Sequence, residues 1–228
     1  MDYDKDSCYN VPAIDQNGNV DQGLDPSNGS NGCRDLNRLN AAQSYSRGRC
    51  NHGWCVYVYA YYFEKDVGTG GHRYDWEHIA VWSSYTQRDG NGYPSIKHVG
   101  VSQHGNFDKR PVGNVRMHKA IKGSHPKVVY HKDGTFTHDF RLANADDDAV
   151  ENDFGHWNID WLLSVWQLNV AIRDKLAGND WGKAWYELSD WSFAGVIEKS
   201  RPSEVPGSLD WSKNDPNCSA RMDKDGFC

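Results

Sequence analysis

Long hydrophobic runs are missing from this 228-residue chain. Its mean hydropathy is -0.82, and no apolar stretch approaches the ~20 residues that a membrane-crossing helix needs. Met1 is followed by Asp2-Tyr3-Asp4-Lys5-Asp6 rather than by the apolar core of a signal peptide. We therefore interpret the chain as a mature secreted protein, which would reach any membrane from the water side.

An excess of basic residues is also missing, since 25 Lys and Arg face 31 Asp and Glu for a net charge of -6. Nucleic-acid binding needs a basic patch that neutralises phosphates. The sequence thus predicts no nucleic-acid partner and no simple electrostatic attraction to anionic lipid, and it points to no protein partner. A bound divalent cation would still change the local field without altering the total charge.

Cysteine is absent from residues 56–217, and all six cysteines lie near the two chain ends. An even number in a secreted chain predicts disulfides. Six cysteines allow fifteen connectivities. The pairing that we favour is Cys8–Cys33, Cys50–Cys55 and Cys218–Cys228. The chain is then a disulfide-free core with stapled, loop-rich termini.

Several catalytic patterns are missing as well. The chain has no Gly-x-Ser-x-Gly elbow, no phosphate-binding loop and no dinucleotide-binding glycine pattern. With its cysteines in disulfides, covalent nucleophilic catalysis finds little support. A metal-dependent hydrolase that uses His104 or His78 as its base remains an alternative.

Aromatic residues are abundant, with 10 Trp, 12 Tyr and 7 Phe, and they favour strands. Residues 56–63, 75–85 and 99–105 are predicted strands, and residues 127–131 and 136–140 form a predicted hairpin around Asp133-Gly134. A helix is expected over residues 168–177 with Gly178 as its C-cap. The sequence predicts a single α+β domain over residues 1–228 with a β-rich core.

Two long segments carry no such periodicity. Residues 10–48 are rich in Asn, Asp, Gly and Ser and are expected to form a loop-rich arm. The acidic run of residues 146–153 is interpreted as a solvated loop rather than as a second cation site.

Residues Gly71–Glu77 place a histidine and two carboxylates directly behind a glycine-rich turn. On a strand, Asp75 and Glu77 project to the same face. His72 has the wrong parity for that face, but the turn frees the backbone to bring its imidazole round. Asp66, across the short loop, adds a third carboxylate. These donors predict a divalent-metal site.

Three carboxylates and one imidazole favour a hard cation, Ca²⁺ or Mg²⁺, with water completing its shell. The same donors can hold Mn²⁺ or Zn²⁺, so donor type alone does not fix the ion. The alternative without a metal is a salt-bridge cluster that includes Arg73.

The heptapeptide Gly71–Glu77 resembles Gly-His-Arg-His-Asp-Trp-Glu of the necrosis- and ethylene-inducing peptide 1-like proteins, which are secreted cytolysins of plant-associated microbes. The resemblance covers most of residues 8–195, and the cysteine content is similar to that of the cysteine-richer branches. The matching blocks are Cys50–Cys55, Tyr61–Asp66, Asp75–Trp82, Ser102–Gly105, Lys127–Gly134, Arg173–Leu176 and Asp180–Gly182.

This resemblance implies a central β-sandwich flanked by helices, and a pocket that binds a divalent cation, Ca²⁺ or Mg²⁺. The pocket would engage the sugar head group of plant glycosylinositol phosphorylceramides, and membrane lysis would follow without covalent chemistry. Such a protein acts at the outer surface of the host plasma membrane. By resemblance, the metal residues are Asp66, His72, Asp75 and Glu77, and the pocket residues are His104, Arg73, Tyr74 and Trp76.

Tyr74 departs from the family heptapeptide, which has a second histidine at that position. Its parity is opposite to that of Asp75, so its expected role is to support the site through hydrogen bonds rather than to bind the metal. The sequence therefore predicts a cation-dependent cytolysin or a less toxic relative of such cytolysins. The alternatives are the extracellular hydrolase and a sugar-binding module without lysis, in which exposed tryptophans stack on sugars.

Overall fold

The computed structural model of the protein describes residues 6–89, 94–120, 123–150 and 152–213. Its main feature is a six-stranded mixed sheet with the order β10-β1-β2-β3-β4-β5. The strands are β1 (Gln43–Asn51), β2 (Trp54–Asp66), β3 (His72–Arg88), β4 (Pro94–Gln103), β5 (Asn106–Pro111) and β10 (Trp161–Ser164). Neighbours are antiparallel except β1 and β10, which are parallel.

Two hairpins and a few short helices complete the fold. The hairpins pair β6 (Met117–Ala120) with β7 (Gly123–Pro126), and β8 (Val128–Lys132) with β9 (His138–Leu142). The α-helices are α1 (Leu36–Asn40), α2 (Val170–Gly178) and α3 (Phe193–Ser200), and the 3₁₀ helices are Pro26–Asn28, Val112–Asn114 and Asp146–Asp148.

The two faces of the sheet bury different clusters, as the alternation along β3 predicts. Trp76 and Trp82 pack on the helix-side face against residues of α2 and α3 such as Leu176 and Ile197. On the hairpin-side face, a second cluster joins strand residues to Cys8 and Cys33 of the amino-terminal arm and to the β8–β9 hairpin; it includes Phe63, Ile79, Val81, Val99, Tyr130 and Phe140. The large sheet with few helices confirms the expected fold class, whereas the domain's extent over residues 1–228 stays a prediction.

Strand β1 lies inside the arm that the sequence predicted to be loop-rich, so that prediction was wrong over residues 43–48. The polar composition of β1 does not match the pattern of a strand, because its polar side chains are buried with partners elsewhere in the protein. Arg47 is only 5% exposed; it donates to the Leu188 carbonyl at 2.8 Å and to the Asp190 carboxylate at 2.7 Å. Its guanidinium also lies 4.5 Å from the centre of the Phe193 ring.

Other predicted elements are present with shifted ends. Helix α2 begins after Asn169, whose side chain accepts a hydrogen bond from the Ile172 amide at 2.9 Å. Gly178 is the last residue of this helix, and Asn179, not Gly178, is its C-cap. The acidic run contains a 3₁₀ helix, in which Asp147 pairs with Arg141 at 2.7 Å. That ion pair favours the interpretation of the run as an ordinary polar loop.

Among the described residues, none of the helices combines the length and the apolar character that crossing a bilayer requires. The expected disulfides Cys8–Cys33 and Cys50–Cys55 are both formed. The first fixes the amino-terminal arm beside the hairpin-side cluster. The expected Cys218–Cys228 bridge lies outside the described residues.

We predict that the protein carries three disulfides, because its six cysteines would meet an oxidising environment after secretion. Mass spectrometry of the unreduced protein should give a mass six hydrogen atoms below that of the reduced chain. Peptide mapping should recover Cys218 linked to Cys228, as well as the two bridges described above. Two free thiols in freshly oxidised protein would contradict this pairing.

Candidate metal centre

Asp66, His72 and Asp75 form a compact group of metal-ligand atoms at one end of the β2–β3 pair. One ligand atom from each residue lies within 4.8 Å of the other two. Asp66 is the cross-strand partner of His72, and Asp75 pairs with Phe63. Asp66 is 1% exposed and Asp75 is 6% exposed, so this triad is not a solvated acidic surface.

Tyr74 is the residue that brings His72 to the same side as Asp75. It sits inside strand β3 with φ of 64°, in the left-handed region that non-glycine residues rarely adopt. A left-handed residue interrupts the alternation of side chains along the strand. The sequence assigned this change of direction to the glycine turn, and the structure places it at Tyr74.

The glycine turn has a different role, which is close packing. A Cβ atom added at Gly68 would lie 1.9 Å from the carbonyl oxygen of Phe136, and one at Gly71 would lie 2.7 Å from that of Asp66. The Thr69 amide also donates to the Thr135 carbonyl at 2.9 Å. Only glycine lets the turn lie against the β8–β9 hairpin in this way.

Backbone contacts orient the imidazole of His72. Its Nδ1 lies 2.8 Å from the carbonyl oxygen of Tyr74. A carbonyl can only accept, so Nδ1 carries a hydrogen, and the tautomer that can bind a metal presents the lone pair of Nε2. Nε2 lies 3.8 Å from Oδ2 of Asp66. This is the arrangement of a metal-binding histidine whose second nitrogen is fixed by a hydrogen bond.

The two carboxylates are held by the β8–β9 hairpin. Oδ1 of Asp66 accepts from the backbone amide of His138 and lies 2.9 Å from Nδ1 of the same residue. Oδ2 of Asp75 accepts from the Tyr130 hydroxyl at 2.7 Å, and its Oδ1 accepts from the Trp76 amide at 2.9 Å. Each carboxylate is therefore fixed and retains acceptor capacity for a cation.

Carboxylates are concentrated here, and among the described residues no lysine or arginine forms an ion pair with Asp66 or Asp75. Burial, and then the nearby Asp66, raise the pKa of Asp75 well above its ordinary value. Burial and Asp75 raise the pKa of Glu77 in the same direction. Carboxylates that are buried together disfavour their own ionisation, and a bound divalent cation reverses that effect. The donor set therefore fits a divalent ion.

Arg73 does not neutralise the group. Its guanidinium is exposed and donates to the Gln22 carbonyl at 2.7 Å. In the described part of the chain, the ion pairs of Asp66 are with histidines, His72 and His138, rather than with lysine or arginine. The salt-bridge alternative built on Arg73 therefore lacks its central contact, whereas the assignment of Arg73 to the pocket stays a prediction.

Glu77 lies on the hairpin-side face beyond Asp75 and is 7% exposed. It accepts a hydrogen bond from the Ser102 hydroxyl, which in turn accepts from the His78 amide at 2.7 Å. Its carboxylate is close enough to Asp75 for the two charges to interact. Glu77 is not part of the compact group formed by Asp66, His72 and Asp75. Its role as a metal ligand stays a prediction.

His104 reaches the same end of the sheet from the turn after β4. Its Nε2 lies 3.5 Å from Asp139 and 3.4 Å from Asp133, and its side chain is 46% exposed. Asp139 is buried and lies 2.8 Å from Nε2 of His131. Since Asp139 also contributes to the raised pKa of Asp75, His104 is placed at the rim of the candidate centre.

Two predicted pocket residues face away from it. Trp76 is 4% exposed in the helix-side core, where it packs on Tyr62 and Trp181. The ring of Tyr74 also packs against Trp181, at 5.3 Å between centroids. Both predictions are corrected by side-chain direction, and Tyr74 supports the centre only through its backbone carbonyl and its left-handed conformation.

Sequence reasoning missed the contribution of the β8–β9 hairpin. Tyr130, His138 and Asp139 all reach the centre or its rim, although the hairpin itself was predicted. The Tyr130 ring stacks on Phe63 at 3.8 Å between centroids, which seats the hairpin on β2. In the sequence, only the polar residues among the apolar positions of this hairpin indicated a functional role. They did not predict which part of the sheet the hairpin packs against.

Comparison with known proteins identifies the family. The family model described as necrosis-inducing protein (NPP1) matches residues 1–200. The chain belongs to the necrosis-inducing protein family. It is 32% identical over 191 residues to the necrosis-inducing protein NPP1 of Phytophthora nicotianae, an alignment that spans 82% of this chain and 73% of that relative.

Solved structures support the same fold. The structure of NLPPya in complex with mannosamine matches with a TM-score of 0.67 and 26% identity, over 87% of this chain and 84% of that one. The crystal structure of the non-toxic HaNLP3 protein matches with a TM-score of 0.70 and 22% identity, over 88% and 86%. The latter likeness speaks for the shared toxin-type fold alone.

The raised pKa of Asp75 predicts how the metal-free protein responds to pH. Its folded-state pKa exceeds the ordinary 3.8, so the folded state binds the proton more tightly than the unfolded chain does. Stability must then fall as the pH rises from the unfolded value towards the folded one. We expect the Tm in chelator to drop over this range, and to drop less in Asp75→Asn.

The matched control for that experiment is Asp174→Asn, which changes an exposed carboxylate on α2. It should follow the wild-type curve. Identical pH profiles for the wild type and Asp75→Asn would contradict the electrostatic description of the centre.

Proposed function

We propose that the protein is a secreted, cation-dependent cytolysin. It binds Ca²⁺ or Mg²⁺ at Asp66, His72 and Asp75, with Glu77 behind them. The bound ion then holds the sugar head group of a plant plasma-membrane glycosylinositol phosphorylceramide. The observation that carries this proposal is the triad itself, whose two carboxylates are buried and whose ligand atoms lie within 4.8 Å of one another.

The number of donors supports a role in ligand capture. Three protein ligands leave part of the shell open for either ion, because Mg²⁺ takes six positions and Ca²⁺ six to eight. Sugar hydroxyls are hard oxygen donors of the kind that both ions prefer. The related NLPPya has been solved with an amino sugar, mannosamine, which makes a sugar head group a natural ligand class to propose here.

The surroundings of the triad suit a membrane surface. Phe136, at the tip of the β8–β9 hairpin, is 61% exposed and lies against Gly68 of the glycine turn. An exposed aromatic ring beside a polar centre can contact a sugar face or the membrane interface. His104, on the rim, offers a further hydrogen-bonding group to the head group.

The hydrolase alternative loses one of its two bases. His78 is 3% exposed, and burial lowers its pKa to about 3. Its Nε2 accepts from the Glu187 amide at 3.4 Å, on the helix-side face. His104 remains in place for such chemistry, so turnover of an extracellular polymer is the result that would favour the hydrolase.

Calorimetry on metal-stripped protein tests the cation site. We expect saturable Ca²⁺ or Mg²⁺ binding, and at least a tenfold loss of affinity in Asp75→Ala, about the scale that disturbed metal sites show. Asp174→Ala is the matched control, since its carboxylate is exposed on α2. Asp75→Asn, which preserves the side-chain shape, separates loss of binding from loss of fold. Unchanged binding in both Asp75 variants would reduce the triad to a structural cluster.

Vesicle leakage tests the membrane function. We expect dye release from vesicles that contain the plant sphingolipid when Ca²⁺ or Mg²⁺ is present, and little release with chelator or without that lipid. Asp75→Asn should lose most of the activity, because the ion would no longer hold the head group. Binding without leakage would favour the sugar-binding module, and leakage independent of cation and lipid would contradict the proposal.

A further inference from the structure

A cavity of about 310 Å³ lies on the hairpin-side face of the sheet. The sheet forms its floor with side chains that include Tyr61, Ile79 and Val81, and the amino-terminal arm and residues 157–160 form further walls. Its volume is at the lower end of the range for ligand pockets. It corresponds to roughly ten water molecules at liquid density.

The walls are mostly apolar, so water gains few hydrogen bonds inside the cavity. Two apolar residues of the lining are also exposed, Ile159 at 52% and Leu162 at 43%. The cavity therefore reaches the protein surface at these residues. A hydrocarbon chain could enter there and bury its own surface together with that of the walls.

Polar side chains interrupt this lining in places, such as Asn10, His125 and Asn158, and Asp160 is the one acidic residue among the lining residues. Its Oδ2 accepts from Nδ2 of Asn10 at 2.6 Å, and its Oδ1 accepts from Nδ2 of Asn158 at 2.9 Å. Each oxygen keeps acceptor capacity beyond these bonds. Burial raises the pKa of Asp160 to about 6, so the group is still mainly ionised at neutral pH.

No basic side chain neutralises this carboxylate. Within residues 6–89, 94–120, 123–150 and 152–213, neither lysine nor arginine forms an ion pair with Asp160, and both hydrogen-bond donors are neutral amides. Asp160 is half-buried, and a carboxylate that is partly removed from water without a cationic partner is costly. The cavity is thus an apolar space with a single negative charge in its wall.

We propose that this cavity binds a single-chain hydrocarbon amphiphile that carries a protonated amine at one end. The tail lies against the apolar side chains of the sheet, and the ammonium group donates to Asp160. An ammonium ion supplies both the missing charge and the missing donors, in a charge-assisted hydrogen bond. An alcohol supplies only a neutral donor, and a fatty-acid carboxylate is repelled.

This site is separate from the metal centre, although one aromatic layer lies between them. Phe63 and Tyr130 line the cavity, and the Tyr130 hydroxyl donates to Asp75. The proposal does not rest on cation binding or on lysis. A protein that binds no metal could still bind the amine, so the two proposals fail independently.

Three probes of equal chain length test the inference: decylamine, decanol and decanoate, each below the concentration at which it self-associates. Trp157 lines the cavity, so its fluorescence should change on binding, and calorimetry gives the Kd. We expect decylamine to bind at least about tenfold more tightly than decanol, because charge-assisted hydrogen bonds are roughly twice as strong as neutral ones. Decanoate should bind most weakly.

Asp160→Asn should reduce the affinity for decylamine to near that for decanol, while decanol binding changes by less than about twofold. The control Asp174→Asn, which alters an exposed carboxylate of α2, should keep the wild-type preference. Equal binding of the three probes to the wild type, or an amine preference that survives in Asp160→Asn, would overturn the proposal. If Asp160→Asn does not fold, crystals of the wild type with bromodecylamine decide, since bromine must then appear inside the cavity and nowhere else.

Discussion

The carboxylates at the end of the β2–β3 pair hold together the part of the molecule on which its function depends. Asp66 accepts hydrogen bonds from His138, and Asp75 accepts one from Tyr130, so the same two residues that face the candidate cation also fasten the β8–β9 hairpin. The glycine turn packs against the other end of this hairpin. The β8–β9 hairpin therefore contacts the candidate cation site directly and carries the exposed Phe136 at its tip. Any ligand that changes the charge of the carboxylates also acts on the anchoring of the hairpin.

The energetic consequence is that the carboxylates of the centre repel one another when no cation is bound. Asp66, Asp75, Glu77 and Asp139 are all buried, and burial together with mutual repulsion raises the pKa of Asp75 and Glu77. Hydrogen bonds from Tyr130 and the Trp76 amide fix Asp75, and one from Ser102 fixes Glu77, and none of these donors carries a charge. A divalent ion would supply the missing charge and bind the folded state in preference to the unfolded one, which stabilises the fold by mass action. The strained backbone of Tyr74 contributes to the same centre. It turns His72 towards the carboxylates at a conformational cost of about 1–3 kcal/mol.

Much of this arrangement follows from sequence, but its long-range parts do not. Alternation along β3 correctly separated Ile79 and Val81 from Trp76 and Trp82, and the proximity of Asp66, His72 and Asp75 was predicted from their spacing. The left-handed conformation of Tyr74 was not predictable, because non-glycine residues such as tyrosine rarely adopt a positive φ. Strand β1 was missed because the partners of Arg47 lie more than a hundred residues away along the chain. The contacts of Tyr130 and His138 likewise depend on where the hairpin docks, which local patterns cannot specify.

Family membership and fold do not decide toxicity, since a protein described as non-toxic shares this fold. By resemblance to the family heptapeptide, Tyr74 stands where a histidine is expected, and in this protein its ring packs against Trp181 while its carbonyl supports His72. The cation is therefore the first thing to establish. Anomalous diffraction from crystals soaked in Mn²⁺, a substitute that scatters strongly where Mg²⁺ and Ca²⁺ bind, tests this directly. We expect a single strong peak in bonding contact with Asp66, His72 and Asp75. An empty triad at saturating Mn²⁺, or a peak only elsewhere on the protein, would contradict it.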